Sequence, residues 1–157
     1  MRPLLLLLLA VPPQDRLRTE GEPVELSAKG GISIDLGKNV GVAKNDVVIK
    51  RKDVTVCCDE AEAVYSGGKI EQVTCRGRVV IVRPDGTRAT AGVAVYRADS
   101  DTVTLTGKAN VFAKDTHLSG EKIIYDIGKD RLEVAGKQSR FSFAPDAKAP
   151  ALRACPP

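Results

Sequence analysis

The side chains able to do chemistry are few: Cys57, Cys58, Cys75, Cys155 and one histidine, His117. A zinc site draws ligand pairs at short spacing from two parts of a fold. Adjacent Cys57-Cys58 with a distant His117 does not provide that. Nucleophilic catalysis needs a Ser or Cys held against a base. No motif ties one to His117, and neighbouring Asp115 reads as a turn residue. Asp59, Glu60 and Glu62 cluster on a strand edge, either as a cation site or as a solvated face. Lys50, Arg51, Lys52, Arg76, Arg78, Arg83 and Arg88 have the chemistry to meet phosphates, and equally that of solvated strand and turn positions. Nucleic-acid binding is disfavoured because no aromatic stacking platform accompanies them. No nucleotide-binding loop is present. The expectation is a protein without catalysis, cofactor or metal.

What must position these groups is one domain. The chain has 157 residues, 43% hydrophobic and 28% charged, enough for a single real core. Aromatics are 4% with no Trp, and the apolar content sits mainly in Val, Ile and Ala. That mixture favours strands over helices. The net charge of +4 permits an anionic partner without requiring one.

The ends differ from the middle. Arg2 precedes an apolar run from Leu4 to Leu9, with Ala10 as a small residue near a cleavage point. A membrane span takes about 20 apolar residues, and this run reaches barely half of that. Pro3, Pro12 and Pro13 bracket it and argue against a buried helix. The pattern predicts a signal peptide and linker over residues 1–22, and hence export. Residues 144–157, rich in Pro and Ala, read as a disordered tail. The domain is expected over 23–143.

Self-similarity is the strongest signal in that domain. TAGVAVYRADSDTVTLTG (90–107) and SGEKIIYDIGKDRLEVAG (119–136) share their layout, and CDEAEAVYSGGKIEQVTCRG (58–77) is a looser copy. The marker positions Asn45, Gly77, Gly107 and Gly136 recur every 32, 30 and 29 residues. Within each unit apolar and polar residues alternate with period two, as in half-buried strands. Turn signals lie between them at Ser66-Gly67-Gly68-Lys69, Pro84-Asp85-Gly86, Ala98 to Asp101 and Ile127 to Asp130. The fold class is therefore all-β, built from repeated strand pairs of about 30 residues.

Alternation assigns the faces. Val47, Ile49, Val54, Val56, Val73, Val79, Ile81, Ala94, Tyr96, Val103, Leu105, Val111, Leu118, Ile123, Tyr125, Leu132 and Val134 are expected inside. Thr55, Thr74, Thr102, Thr104, Lys122 and Glu133 are expected to meet water. Small interior residues leave room for a groove, although a plain packed core explains each position equally well. By repeat alignment Cys58 and Cys75 both point inward. In an exported protein they form the preferred disulfide pair, or else remain as small buried hydrophobes. Cys57 is expected to face out and Cys155 to lie in the tail.

The repeat resembles the OstA-like family of periplasmic lipopolysaccharide-transport proteins, the LptA type. The likeness rests on Gly77-Arg78-Val79, on Gly107 to Val111, on LSGEKIIYD at 118–126 and on VCCDEA at 56–61. It covers roughly Val24 to Phe143.

The resemblance implies an open twisted β-jelly roll that shelters acyl chains and leaves sugars outside. The expected function is a periplasmic bridge carrying lipopolysaccharide from inner to outer membrane for outer-membrane assembly. Its lipid A portion would contact Val47, Ile49, Val54, Val56, Val79, Ile81, Tyr96, Val103, Leu105, Val111, Leu118, Ile123, Tyr125, Leu132 and Val134. The implied partners are membrane proteins with related OstA-like domains, and further copies joined head to tail. The edge strands, expected at Val24 to Ile34 and Arg131 to Phe143, would make those joints. The alternative is a scaffold that polymerises through the same edges and carries nothing.

Overall fold

The computed structural model describes residues 24–51, 54–143 and 155. The expected signal peptide and nearly all of the expected tail lie outside them. Among the described residues there is no helix, only ten strands in one antiparallel sheet. Six long strands form a meander: β3 (Val40–Arg51), β4 (Val54–Ser66), β5 (Lys69–Val82), β6 (Arg88–Arg97), β7 (Thr102–Ala113) and β8 (Thr116–Asp126). Short strands finish each side. β1 (Val24–Ser27) and β2 (Ile32–Asp35) share the free edge of β3, and β9 (Arg131–Ala135) and β10 (Arg140–Phe143) share that of β8.

The edges thus differ from the two continuous strands expected from sequence. Each is broken into two pieces by a turn with left-handed backbone, at Gly31 on one side and at Gly136 and Gln138 on the other. Four- and five-residue strands present a discontinuous row of unpaired amides, a poorer template for indiscriminate pairing.

The repeat markers are the kinks of the sheet. Asn45-Asp46, Gly77-Arg78 and Gly107-Lys108 each place two consecutive residues at positive φ, on β3, β5 and β7. At these points the register slips between Lys44 and Val47, Arg76 and Val79, and Thr106 and Ala109. Bulges bend a strand and increase its twist, and a bulge at mid-length in alternate strands folds the whole sheet across its strands. Gly107 is also where backbones meet: a Cβ there would lie 3.2 Å from Gly92 Cα. A side chain would strain both the left-handed φ of 76° and that contact.

Two hydrogen bonds show how far the sheet folds. Through the register, Arg51 is level with Thr87, just before β6, and Arg83 with Thr116 on β8. In a flat sheet Tyr96 and Tyr125, each nine residues further along, would lie about 30 Å away along the strand direction. Yet Arg51 Nη1 donates to Tyr96 Oη at 3.3 Å and Arg83 Nη1 to Tyr125 Oη at 3.0 Å. The two halves of the strands face each other. The result is the open twisted jelly roll that the family resemblance implied.

Between the halves sits one core made of small and medium side chains. Ala43, Val47, Ile49, Cys58, Ala61, Cys75, Val79, Ala94, Leu105, Ala109, Val111 and Ile123 belong to it. Ile123, Val47 and Val79 are its largest fully buried members. Thr74 departs from its expected contact with water. It is buried on the outer side of the sheet, where Gln72 Nε2 donates to its hydroxyl at 3.3 Å.

Candidate functional site

The core does not fill the fold. A cavity of about 940 Å³ runs between the two halves. Of the fifteen residues expected to touch a ligand, Val54, Ile81, Val103, Leu105, Val111, Tyr125 and Leu132 line it. Val47, Ile49, Val79 and Ile123 are packed in the core, with Val56, Leu118 and Val134 against it. Tyr96 does not line the cavity, but its hydroxyl accepts from Arg51, which does. Alternation placed all fifteen on the inner face but could not separate walls from filling, because a two-residue period carries no information about where the sheet halves diverge. A second cavity of about 350 Å³ lies at the β2 side, against Leu26, Ile32, Ile34, Ala63, Tyr65 and Ile70.

Of the polar rim, the sequence had singled out Arg51 and Arg83 as residues able to meet phosphates, and missed the carboxylates and Lys114. Arg51, Arg83, Asp85, Asp101, Lys114, Asp115 and Asp130 line the main cavity beside the apolar residues. Two relays of the same construction join residues of this rim. Tyr96 Oη accepts from Arg51 and donates to Asp101 Oδ1 at 3.4 Å. Tyr125 Oη accepts from Arg83 and donates to Asp130 Oδ1 at 2.7 Å. In each, the guanidinium carbon stands over the ring, 5.7 and 5.8 Å from its centre, an added cation–π attraction. Desolvation, and then the bond to Asp130, raises the Tyr125 phenol above its usual range, so it stays a neutral donor at physiological pH. The signal was present in the repeat, since Tyr96 and Tyr125, and Asp101 and Asp130, stand 29 residues apart.

The cysteines correct the expected pairing. Cys57 and Cys155 form a disulfide, while Cys58 and Cys75 are free and buried. Cys58 lies within a register slip, so the residue opposite Cys75 on β4 is Ala61. Cys58 donates to the Glu60 carbonyl at 3.3 Å. The Cys75 thiol donates to the Cys58 sulfur; that contact lowers the Cys58 pKa, and the same contact together with burial raises that of Cys75. They serve as small core residues, the other reading left open by the sequence. Cys57 does face outward, on a row with Val48 and Val80, yet all three are buried. Cys155 is thus fastened to the outer face.

The remaining candidates do not assemble into a reactive centre. Asp59 pairs with Arg78 on the outside of the β5 kink. His117 Nε2 lies 3.0 Å from Asn110 Oδ1, and its ring stacks on Phe112. Among the described residues no group of three or more His, Cys, Asp or Glu side chains is arranged to hold a metal.

A folded sheet enclosing an apolar groove agrees with the family comparison. The model of the LptA/LptD N-terminal domain lipopolysaccharide-transport proteins matches residues 30–131. The chain belongs to this family. Its members are transport proteins, so no catalytic step is assigned to the groove. Among solved structures, the chain is similar to LptH from Pseudomonas aeruginosa. LptH is described as the LptA-homologous periplasmic component of the conserved lipopolysaccharide transport device. The identity is 20% and the TM-score 0.68, over 78% of this chain and 94% of LptH. At that identity the likeness shows the fold. No curated protein matches the chain.

Proposed function

We propose that the chain is a periplasmic bridge element that carries lipopolysaccharide toward the outer membrane, with the lipid A acyl chains in the groove. The observation that supports this most is the apolar cavity of about 940 Å³ kept open between the sheet halves in a member of a transport family. Burying a CH₂ group stabilises by about 0.8 kcal/mol, so a chain of a dozen carbons gains on the order of 10 kcal/mol. Such a chain needs a sheltered path through water. Passage between like domains is close to isoenergetic, and direction must come from another protein.

The two ends of the sheet suit a continuous path. Ile34 and Leu36 are 60% and 80% exposed at one side, and Phe141 and Phe143 are 66% and 64% exposed at the other. Strand addition across these edges would join groove to groove, in a head-to-tail contact that does not close on itself. The neighbours are further copies or related domains of membrane proteins.

Native mass spectrometry of the purified protein with lipopolysaccharide tests the reading. The expected result is a one-to-one complex that survives removal of free lipid. A protein that stays folded and picks up no lipopolysaccharide would contradict it, and would leave a non-carrying scaffold.

A further inference from the structure

The Arg51 and Arg83 relays are under-used as they stand. A guanidinium has five donors, and among the described residues each of these gives one, to a neutral phenol. Bonds from a guanidinium to an anion are shorter and roughly twice as strong. Four carboxylates line the same cavity, Asp85, Asp101, Asp115 and Asp130, and three of them already accept a hydrogen bond from another group. Asp101 and Asp130 accept from Tyr96 and Tyr125, and Asp85 accepts from the Thr87 amide at 2.9 Å. Directly behind the guanidiniums, Val54 and Ile81 begin the apolar wall. Apolar wall and guanidinium donors thus line one cavity.

We infer that Arg51 and Arg83 read the headgroup of the carried molecule. Each exchanges its phenol for a phosphate or carboxylate oxygen of an acylated ligand whose chain lies in the groove. Without ligand, the same arginines hold the sheet halves together through Tyr96 and Tyr125, and that link is released when an anion takes the place of the phenols. This rests on the groove carrying acyl chains, as proposed above.

The test displaces a bound fluorescent dye, N-phenyl-1-naphthylamine, with two probes of equal chain, dodecyl phosphate and neutral dodecyl maltoside. The native protein is expected to bind the phosphate about tenfold more tightly, the equivalent of one charge-assisted contact. The double variant Arg51→Gln/Arg83→Gln is expected to lose that preference while keeping its affinity for the maltoside. Tyr96→Phe/Tyr125→Phe frees the guanidiniums and is expected to keep or strengthen it.

Equal preference in the native and arginine variants would overturn headgroup reading and leave lipid carriage standing. So would a loss in the tyrosine variant equal to that in the arginine variant, because the relays would then act only as struts. Inorganic phosphate alone is expected not to displace dodecyl phosphate. If it does so at equal concentration, the arginines bind free phosphate and the headgroup reading fails. Failure of the native protein to bind dye and both probes would overturn the carrier reading itself.

Discussion

Val103→Asp is expected to weaken binding of a dodecyl probe about fiftyfold and to leave the sheet folded. Val103 lies on the groove wall, half-buried, in register between Tyr96 on β6 and Tyr125 on β8. A carboxylate there keeps its water and pushes the chain off the wall. Losing contact with three CH₂ groups costs about 2.4 kcal/mol, which is a factor of about fifty in affinity. Thr104→Asp, one residue on and on the outer face, is the matched control and is expected to leave affinity unchanged. Dye displacement measures both, with circular dichroism confirming the strands. Equal weakening by the two variants would mean that binding does not occur in the groove.

Reducing the Cys57–Cys155 disulfide is expected to remove about 4 kcal/mol of stability. The bond closes a separation of 98 residues, and the loop-entropy model assigns slightly more than that to a closure of this length. For a domain of this size the melting temperature would fall by roughly 12 °C. Thermal melts with and without a reductant measure it. Cys155→Ser is expected to melt at the lower temperature in both conditions, because buried Cys58 and Cys75 have no bond to lose. Identical melts of the native protein, with full reduction verified by thiol titration, would contradict the structural role of this bond. The stabilising effect belongs to the oxidised protein, in keeping with an oxidising compartment such as the periplasm.

The legible part of the fold was the part encoded by local rules. Alternation of apolar and polar residues told inside from outside along β7 and β9, because each strand turns one face to the core. The recurring Asn45, Gly77, Gly107 and Gly136 were visible as markers, and all four have positive φ in the structure. That the first three bend the sheet as bulges while Gly136 makes a turn was not visible, since a positive-φ residue reads equally well as either.

What the sequence concealed depends on that folding. Arg51 and Tyr96 are 45 residues apart and far apart in any flat register, so no pattern pairs them. Cys155 reaches Cys57 across 98 residues, on the outer face, where no repeat alignment looks. Alternation put Thr74 on the outer face and so in water; it is on that face but buried, and its hydroxyl is satisfied by Gln72 two residues before it. The edges were read as single strands because a turn at Gly31 or Gly136 does not interrupt a two-residue period strongly.

The central claim is that acyl chains travel inside the folded sheet. Photo-crosslinking tests it most directly, with a photoreactive residue at Leu105, on the cavity wall, and another at Thr104, on the outer face. The account predicts that lipopolysaccharide attaches at Leu105 and not at Thr104. Equal labelling of both sites, or labelling of neither while the protein remains folded, would contradict it.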